Sequence, residues 1–106
     1  MILISMKISI IIPVYNEKKT IIKLFKKVQS LKDINKQIII VDDGSTDGSV
    51  ELIKSKINER DVKLIFHKEN RGKGAAIISA LKHITGDIVI IQDADLEYDP
   101  NDYYKL

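Results

Sequence analysis

Cysteine and tryptophan are absent from this sequence, proline occurs twice, and the two histidines, His67 and His83, fall in different predicted elements. Without cysteine there can be no disulfide framework and no thiolate metal site, and a reducing compartment is permitted. With histidine so scarce, carboxylates are the main candidate metal ligands, which points to a hard cation such as Mg2+ or Mn2+. A charge of one sign is lacking too: 17 basic residues face 15 acidic ones, for a formal net charge of +2. That balance argues against nucleic acid as a partner bound by phosphate neutralisation. No hydrophobic run is long enough to span a bilayer, and the opening "MILISMK" has no basic residue ahead of its short apolar stretch, so it does not read as a signal peptide. The expectation is one soluble, cytoplasmic domain with a modest core.

What is present is a repeating order. Four apolar, β-branched runs, "KISIII" (7–12), "QIIIV" (37–41), "VKLIF" (62–66) and "DIVIIQ" (87–92), alternate with segments of helical period. Continuous Ile and Val runs suit strands covered on both faces, hence a largely parallel sheet. Ile21, Leu24, Phe25, Val28 and Leu31 recur at helical spacing, with Lys19, Lys23, Lys26 and Lys27 largely on other faces. A second helix is predicted to open within "DGSTDGS", capped by Ser45, Thr46 or Asp47, with Val50, Ile53 and Ile57 inward. A third follows "NRGKG", with Ile77, Ala80, Leu81 and Ile84 on one face and Gly86 as its stop. Asp99 before Pro100 reads as a cap followed by proline at the first helical position.

A β-α-β-α-β-α-β order with right-handed crossovers makes every strand parallel, so the strand C-terminal ends share one edge, where open α/β sheets bind ligands. The segments that follow the strands are "PVYNE", "DDGSTDG", "HKENRGKG" and "DADLE". Glycines, carboxylates and amide or hydroxyl donors therefore converge on one edge, whereas "LKDINK", "NERD" and "ITG" at the other look like ordinary solvated turns.

In "DADLE", Asp93 and Asp95 flank the small Ala94 and can aim at one divalent ion, with Glu97 as a possible third oxygen ligand. Magnesium takes few protein carboxylates and completes its octahedron with phosphate oxygens and water, so the implied ligand is a diphosphate. Alone, an Asp-x-Asp reads more readily as a solvated acidic loop; its position after a buried strand at the shared edge favours the metal site. Asp42 and Asp43 leave their strand on opposite sides, so one faces the cleft, where it can accept from a nucleobase imide or a ribose hydroxyl, and the other is structural. Tyr15 can stack on a base and Glu17 can accept a hydroxyl, unless Pro13 merely stops the strand and Asn16 caps the helix. Arg71 and Lys73, beside Gly72 and Gly74, suit an anion at a helix start, against the plainer reading of a Gly-rich packing turn. The order G-x-G-x-x-G is absent, as is a Walker A loop. His67 reads as a strand-end residue and His83 as a surface one.

"PVYNE", "VDDGSTDG", "NRGKGAA" and "DADLEYDP", in this order and spacing, resemble the N-terminal, nucleotide-sugar-binding half of the family 2 glycosyltransferases. The last motif is similar to that of the polyprenyl-phosphate, dolichyl-phosphate mannose synthase-like branch. The resemblance covers almost the whole chain. It implies an α/β, Rossmann-like GT-A fold, a mostly parallel sheet with helices on both faces, truncated to the donor-binding part (1–106). It also implies that Pro13, Tyr15, Glu17, Val41 and Asp43 border the nucleoside, and Lys73 is grouped with this donor-binding set. Asp93 and Asp95 would hold the metal and diphosphate, with Ala94 beside the donor and Glu97 as a further metal ligand. The implied reaction is metal-assisted, inverting transfer of a sugar from a UDP- or GDP-linked donor to an acceptor such as a polyprenyl phosphate at the cytoplasmic face of a membrane. Family members continue into an acceptor-binding half that in many branches supplies the catalytic base, so the base is expected outside these residues. The competing readings are a catalytically silent nucleotide-binding module and a phospho-acceptor receiver domain, which also uses an Asp pair at a strand edge.

Overall fold

A computed structural model of the chain describes residues 6–96 and 99–105. The elements are β1 (Lys7–Val14), α1 (Ile21–Gln29), β2 (Asn35–Asp42), α2 (Ser49–Lys56), β3 (Val62–Phe66), α3 (Lys73–Leu81), β4 (Ile88–Ile91) and a 3-10 helix (Pro100–Lys105). The four strands form one sheet in the order β3-β2-β1-β4, and every pairing is parallel. The chain thus walks outward from β1 to β3 and then returns to the far side of β1. The switch point lies between β1 and β4, the position at which open α/β sheets bind ligands. A receiver domain would have its third strand beside the first in a 2-1-3 order, so that reading is set aside.

The pleat sorts the strand residues into two cores. Ile10, Ile12, Val14, Ile38 and Ile40 face α1 and α2, where Ile21, Leu24, Phe25, Val28 and Ile53 meet them. Ile11, Ile39 and Val41 face α3 and pack against Ala76 and Ala80. Two alanines one turn apart let α3 lie close to the sheet, and this sets its rotation. Leu81, expected inward, is rotated out and half exposed, whereas Ile77 and Ile84 do pack on the core. The outer strand departs from the expected two-sided burial: Ile88, Val89 and Ile91 are 39%, 42% and 45% exposed. Asp99 caps as expected, its Oδ1 accepting from Asn101 N–H at 2.9 Å, although the helix that follows is of 3-10 type. There Tyr103 is buried and donates to Gln92 Oε1 at 2.7 Å; burial holds its phenol well above the usual pKa range.

Two boundaries differ from those read in the sequence. Pro13 does not stop β1, which pairs with β2 as far as Val14↔Asp42. The Ile11 carbonyl accepts from Gln92 N–H, and the Val14 carbonyl from Asp43 N–H. Main-chain groups alternate sides along a strand, so Pro13 faces the β4 side, where pairing has ended at Ile11↔Ile91. The missing N–H is therefore not needed for the ladder, and a gap opens between β1 and the departing end of β4.

The second difference is Gly86, which lies five residues beyond the end of α3. It sits against β1: a Cβ there would be 2.6 Å from Ser9 Oγ, 2.7 Å from Ser9 N and 2.8 Å from the Lys7 carbonyl. Around it the buried Ser9 hydroxyl donates to Gln37 Oε1 (2.6 Å) and accepts from Gly86 N–H (2.8 Å), while Gln37 Nε2 donates to the His83 carbonyl (2.6 Å). The "ITG" turn is thus fastened to the sheet by a polar knot at the edge opposite the glycine-rich loops. Gly86→Ala is expected to lower stability by about 2 kcal/mol through overpacking on strand backbone. Gly74→Ala, whose Cβ meets nothing within 4 Å, should raise it by about 0.5 kcal/mol. Urea unfolding of the two variants beside wild type checks both signs.

Candidate functional site

The site grows from the end of β2. Asp42, fully buried on the α1–α2 side, accepts from Ser45 N–H through Oδ1 at 2.8 Å; its Oδ2 has no hydrogen-bond partner among the described residues. Asp43 turns to the α3 side and is 3% exposed. Its Oδ1 accepts from His67 Nδ1 (2.8 Å) and Arg71 N–H (2.9 Å), and its Oδ2 from Asn70 Nδ2 (3.1 Å) and Gly72 N–H (2.8 Å). A carboxylate offers about four acceptor sites, and all are taken within the protein. Burial alone would raise the Asp43 pKa, but the hydrogen bonds from His67, Arg71 and Gly72 outweigh it, and the value lies below the ordinary 3.8. In the neutral tautomer that donates to Asp43, His67 Nε2 accepts from the Ser79 hydroxyl on α3 at 2.8 Å. Gly44 lets the second loop pass this close to the third: its φ is 75°, and a Cβ would lie 2.4 Å from the Glu69 carbonyl carbon.

The first loop is laced to the second. Asn16 N–H donates to Ser45 Oγ (2.9 Å), Thr46 N–H to Asn16 Oδ1 (2.8 Å) and Lys18 N–H to Asp47 Oδ2 (3.1 Å). Asp47 also takes the N–H and hydroxyl of Ser49 at the start of α2 (2.9 and 2.5 Å), so of the three capping candidates it is the one that reaches the helix. Burial opposes its ionisation, yet these donors hold its pKa below 3.8 as well. Thr20, just before α1, donates to the Ala94 carbonyl at 2.5 Å and lies 3.1 Å from Glu17 Oε2, which pins the acidic turn to the first loop.

Together the four strand ends enclose a cavity of about 280 Å³ at the gap beside Pro13. Pro13, Val14, Tyr15 and Glu17 line it from the first, Asp43 from the second, Asn70, Gly72, Lys73 and Ala76 from the third, and Asp93, Ala94 and Asp95 from the fourth. Tyr15 is 47% exposed at the rim, and Ala94 is buried. Lys73 reaches across to Asp93, Nζ to Oδ1 at 2.5 Å. Of the residues expected in the site, Val41 does not line the cavity: it is fully buried in the core against α3, beneath the floor. Glu97 lies outside the described residues. Among the described residues no cluster of three or more His, Asp or Glu side chains is gathered for a metal. Two carboxylates on one short turn nevertheless fit Mg2+ or Mn2+ that draws its other ligands from diphosphate and water.

Sequence reasoning passed over His67, Asn70 and Thr20 as site-builders. Nothing in their spacing marks the first as the partner of an aspartate 24 residues earlier. Asp43→Ala would leave two backbone N–H groups, His67 and Asn70 without their acceptor, and is expected to lower stability by about 3 kcal/mol, read from the urea midpoint. With a depressed pKa in the fold, the stability contributed by ionised Asp43 is complete above pH 3.8 and is lost as pH falls through the lower folded value. Asp43→Asn, which cannot titrate, should therefore show a flatter acid limb than wild type in the same measurement.

The family model described as "Glycosyl transferase family 2" matches residues 9–106. A dolichol-phosphate mannosyltransferase of Pyrococcus furiosus is 35% identical over 102 residues, covering 95% of this chain and 29% of that protein. An undecaprenyl-phosphate 4-deoxy-4-formamido-L-arabinose transferase of Salmonella choleraesuis is 36% identical over 105 residues, covering 94% of this chain and 32% of its own length. Among solved structures, the mannosyltransferase PcManGT of Pyrobaculum calidifontis, in complex with GDP-Man and Mn2+, superposes with a TM-score of 0.76 at 31% identity, over 83% of this chain and 27% of that one. The chain therefore spans about a third of the length of these relatives, and the expected Rossmann-like GT-A architecture is borne out. By sequence and by fold, the chain belongs to glycosyl transferase family 2.

Proposed function

We propose that these residues form the donor-binding part of an enzyme that transfers a sugar from a nucleotide-diphosphate sugar to an acceptor, with a polyprenyl phosphate as the favoured acceptor class. The observation that carries this reading is the meeting of the Asp93–Ala94–Asp95 turn, the Gly72–Lys73 turn and the Pro13–Glu17 loop round one cavity at the sheet's switch point. Tyr15 offers an aromatic face to the base, and Glu17 and the Asn70 side chain offer polar groups to the nucleoside. Asp43, saturated by donors from the third loop, acts by holding Asn70 to Gly72 in place. Ala94 and Ala76 keep the floor low enough for a sugar diphosphate.

Asp93 and Asp95 would hold Mg2+ or Mn2+, which when bound supplies a Lewis-acid charge to the departing diphosphate. Thr20 supports that pair by fixing the Ala94 carbonyl between them. An anionic lipid phosphate is already a nucleophile at neutral pH and needs little base assistance; for other acceptors the base would come from residues beyond this part of the fold. Lys19, just before α1, and Lys23, Lys26 and Lys27 on the face of α1 away from the core are exposed and give the protein a basic side for an anionic membrane surface at which such an acceptor resides. Among the described residues no helix is long and apolar enough to cross a membrane; the contact proposed for this part of the fold is a peripheral one. Sedimentation with anionic vesicles at low and high salt tests it; binding that salt does not reduce would count against it.

Calorimetry with GDP and UDP in the presence of Mn2+ tests the site. Asp93→Asn and Asp95→Asn are each expected to weaken nucleotide binding at least tenfold with little change in melting temperature, and excess chelator should bring wild type to the same level. Unchanged affinity in both variants would remove the assignment. Tight binding without sugar transfer to any lipid phosphate would leave a nucleotide-binding module.

A further inference from the structure

The Lys73–Asp93 pair crosses the cavity from one wall to the other. On the lysine side the backbone is fixed, because the two N–H groups just before Lys73, those of Arg71 and Gly72, are held by the buried Asp43. On the aspartate side the turn is fixed through Thr20 and the Ala94 carbonyl. Between these rigid mounts lies a flexible four-carbon stem, and the two side chains are 55% and 33% exposed. An ion pair as wet as this contributes little to folding. Its effect falls on Asp93, one oxygen of which is engaged by an ammonium.

We propose that Lys73 is a stand-in cation. In the free protein its ammonium occupies the Asp93 oxygen that a divalent ion takes up with the nucleotide, and on arrival of the diphosphate it turns from Asp93 to the phosphate oxygens. The proposal rests on the reading of Asp93 and Asp95 as the metal-holding pair. Lysine suits the part because its charge is compact, its three donors rotate, and its stem can swing without moving backbone. The charge balance supplies the consequence. One lysine against two aspartates leaves a single formal negative charge among these three groups. A divalent ion arriving alone must displace the ammonium, and it brings no anion of its own to offset the repulsion between the two. A divalent ion arriving with a diphosphate gives the displaced ammonium a new anionic partner. Lys73 thereby sets the order of loading: metal and diphosphate enter together, and the bare ion is disfavoured.

The test compares Mn2+ binding without nucleotide, followed by electron paramagnetic resonance of the free ion, with GDP and UDP binding at saturating Mn2+, followed by calorimetry. Wild type, Lys73→Met, Lys73→Arg and Asp93→Asn are taken through both. In a water-exposed setting, an ammonium displaced to about 8 Å from a divalent ion repels it, and an ammonium about 4 Å from one phosphate charge attracts it, each by an amount worth roughly fivefold in affinity. Lys73→Met is therefore expected to bind Mn2+ alone about fivefold more tightly and nucleotide about fivefold more weakly, while Lys73→Arg, which keeps the charge but not the compact ammonium, falls between Lys73→Met and wild type in both. Lys73→Met with unchanged or weaker Mn2+ affinity overturns the proposal, as does a gain for Mn2+ without a loss for nucleotide. In either case a loss of Mn2+ binding in Asp93→Asn keeps the metal reading standing. Asp93→Asn with wild-type affinity for both ligands removes the metal reading, and the stand-in role with it.

Discussion

The Asp43 carboxylate is the joint on which the site depends. It stands at the end of a central strand, almost out of water, and draws four donors from the segment that follows the neighbouring strand: an imidazole, an amide side chain and two successive backbone N–H groups. An ionised carboxylate in such a place is tolerable only because each lone pair is used. The same saturation gives the 70–72 turn its shape, which in turn fixes where α3 begins and where Lys73 starts. Removing the charge would loosen one wall of the cavity and leave the other intact. The site is therefore less a set of independent side chains than two braced walls, one fastened by Asp43 and one by Thr20 on the Ala94 carbonyl.

The architecture was legible in the sequence because its signals are local. Four β-branched runs, three amphipathic segments and chemistry confined to alternate connections suffice to derive a parallel sheet with one functional edge. The residues lining the cavity were largely legible for the same reason, since topology alone delivers the ends of β1, β2 and β4 to one place. What stayed hidden depends on contacts distant in sequence. His67 reads as an unremarkable strand-end residue until β3 is laid beside β2, which brings it to Asp43. Gly86 reads as a helix stop, yet it is a close-approach residue whose neighbour, Ser9, lies 77 positions away. Val41 follows the motif in sequence, but the pleat puts it beneath the floor. Pro13 reads as a terminator because its missing N–H forbids most central strands; the exception arises where β4 has already turned away.

That exception ties strand geometry to chemistry. The cavity exists because β1 and β4 part company three residues before β1 ends, and a proline on the vacated side ensures that no N–H at that position can close the ladder. The acidic turn follows at once, so the carboxylates emerge where the backbone has made room. Family membership adds that similar proteins of about three times this length use related sequences in sugar transfer, and the one with GDP-Man and Mn2+ superposes on this sheet.

β4 has a further bearing. Among the described residues it is the outermost rung beside the site, its main chain paired on one flank only and three of its branched side chains partly exposed. Any segment that zips onto that flank would be indexed to it in steps of about 3.3 Å, with the identity of each inward-facing residue reversing at every single-residue slip. The ruler ends two residues short of Asp93. Whatever docks along β4 thus has its distance from the carboxylates decided by alignment along a ladder, before any side chain of the newcomer is consulted.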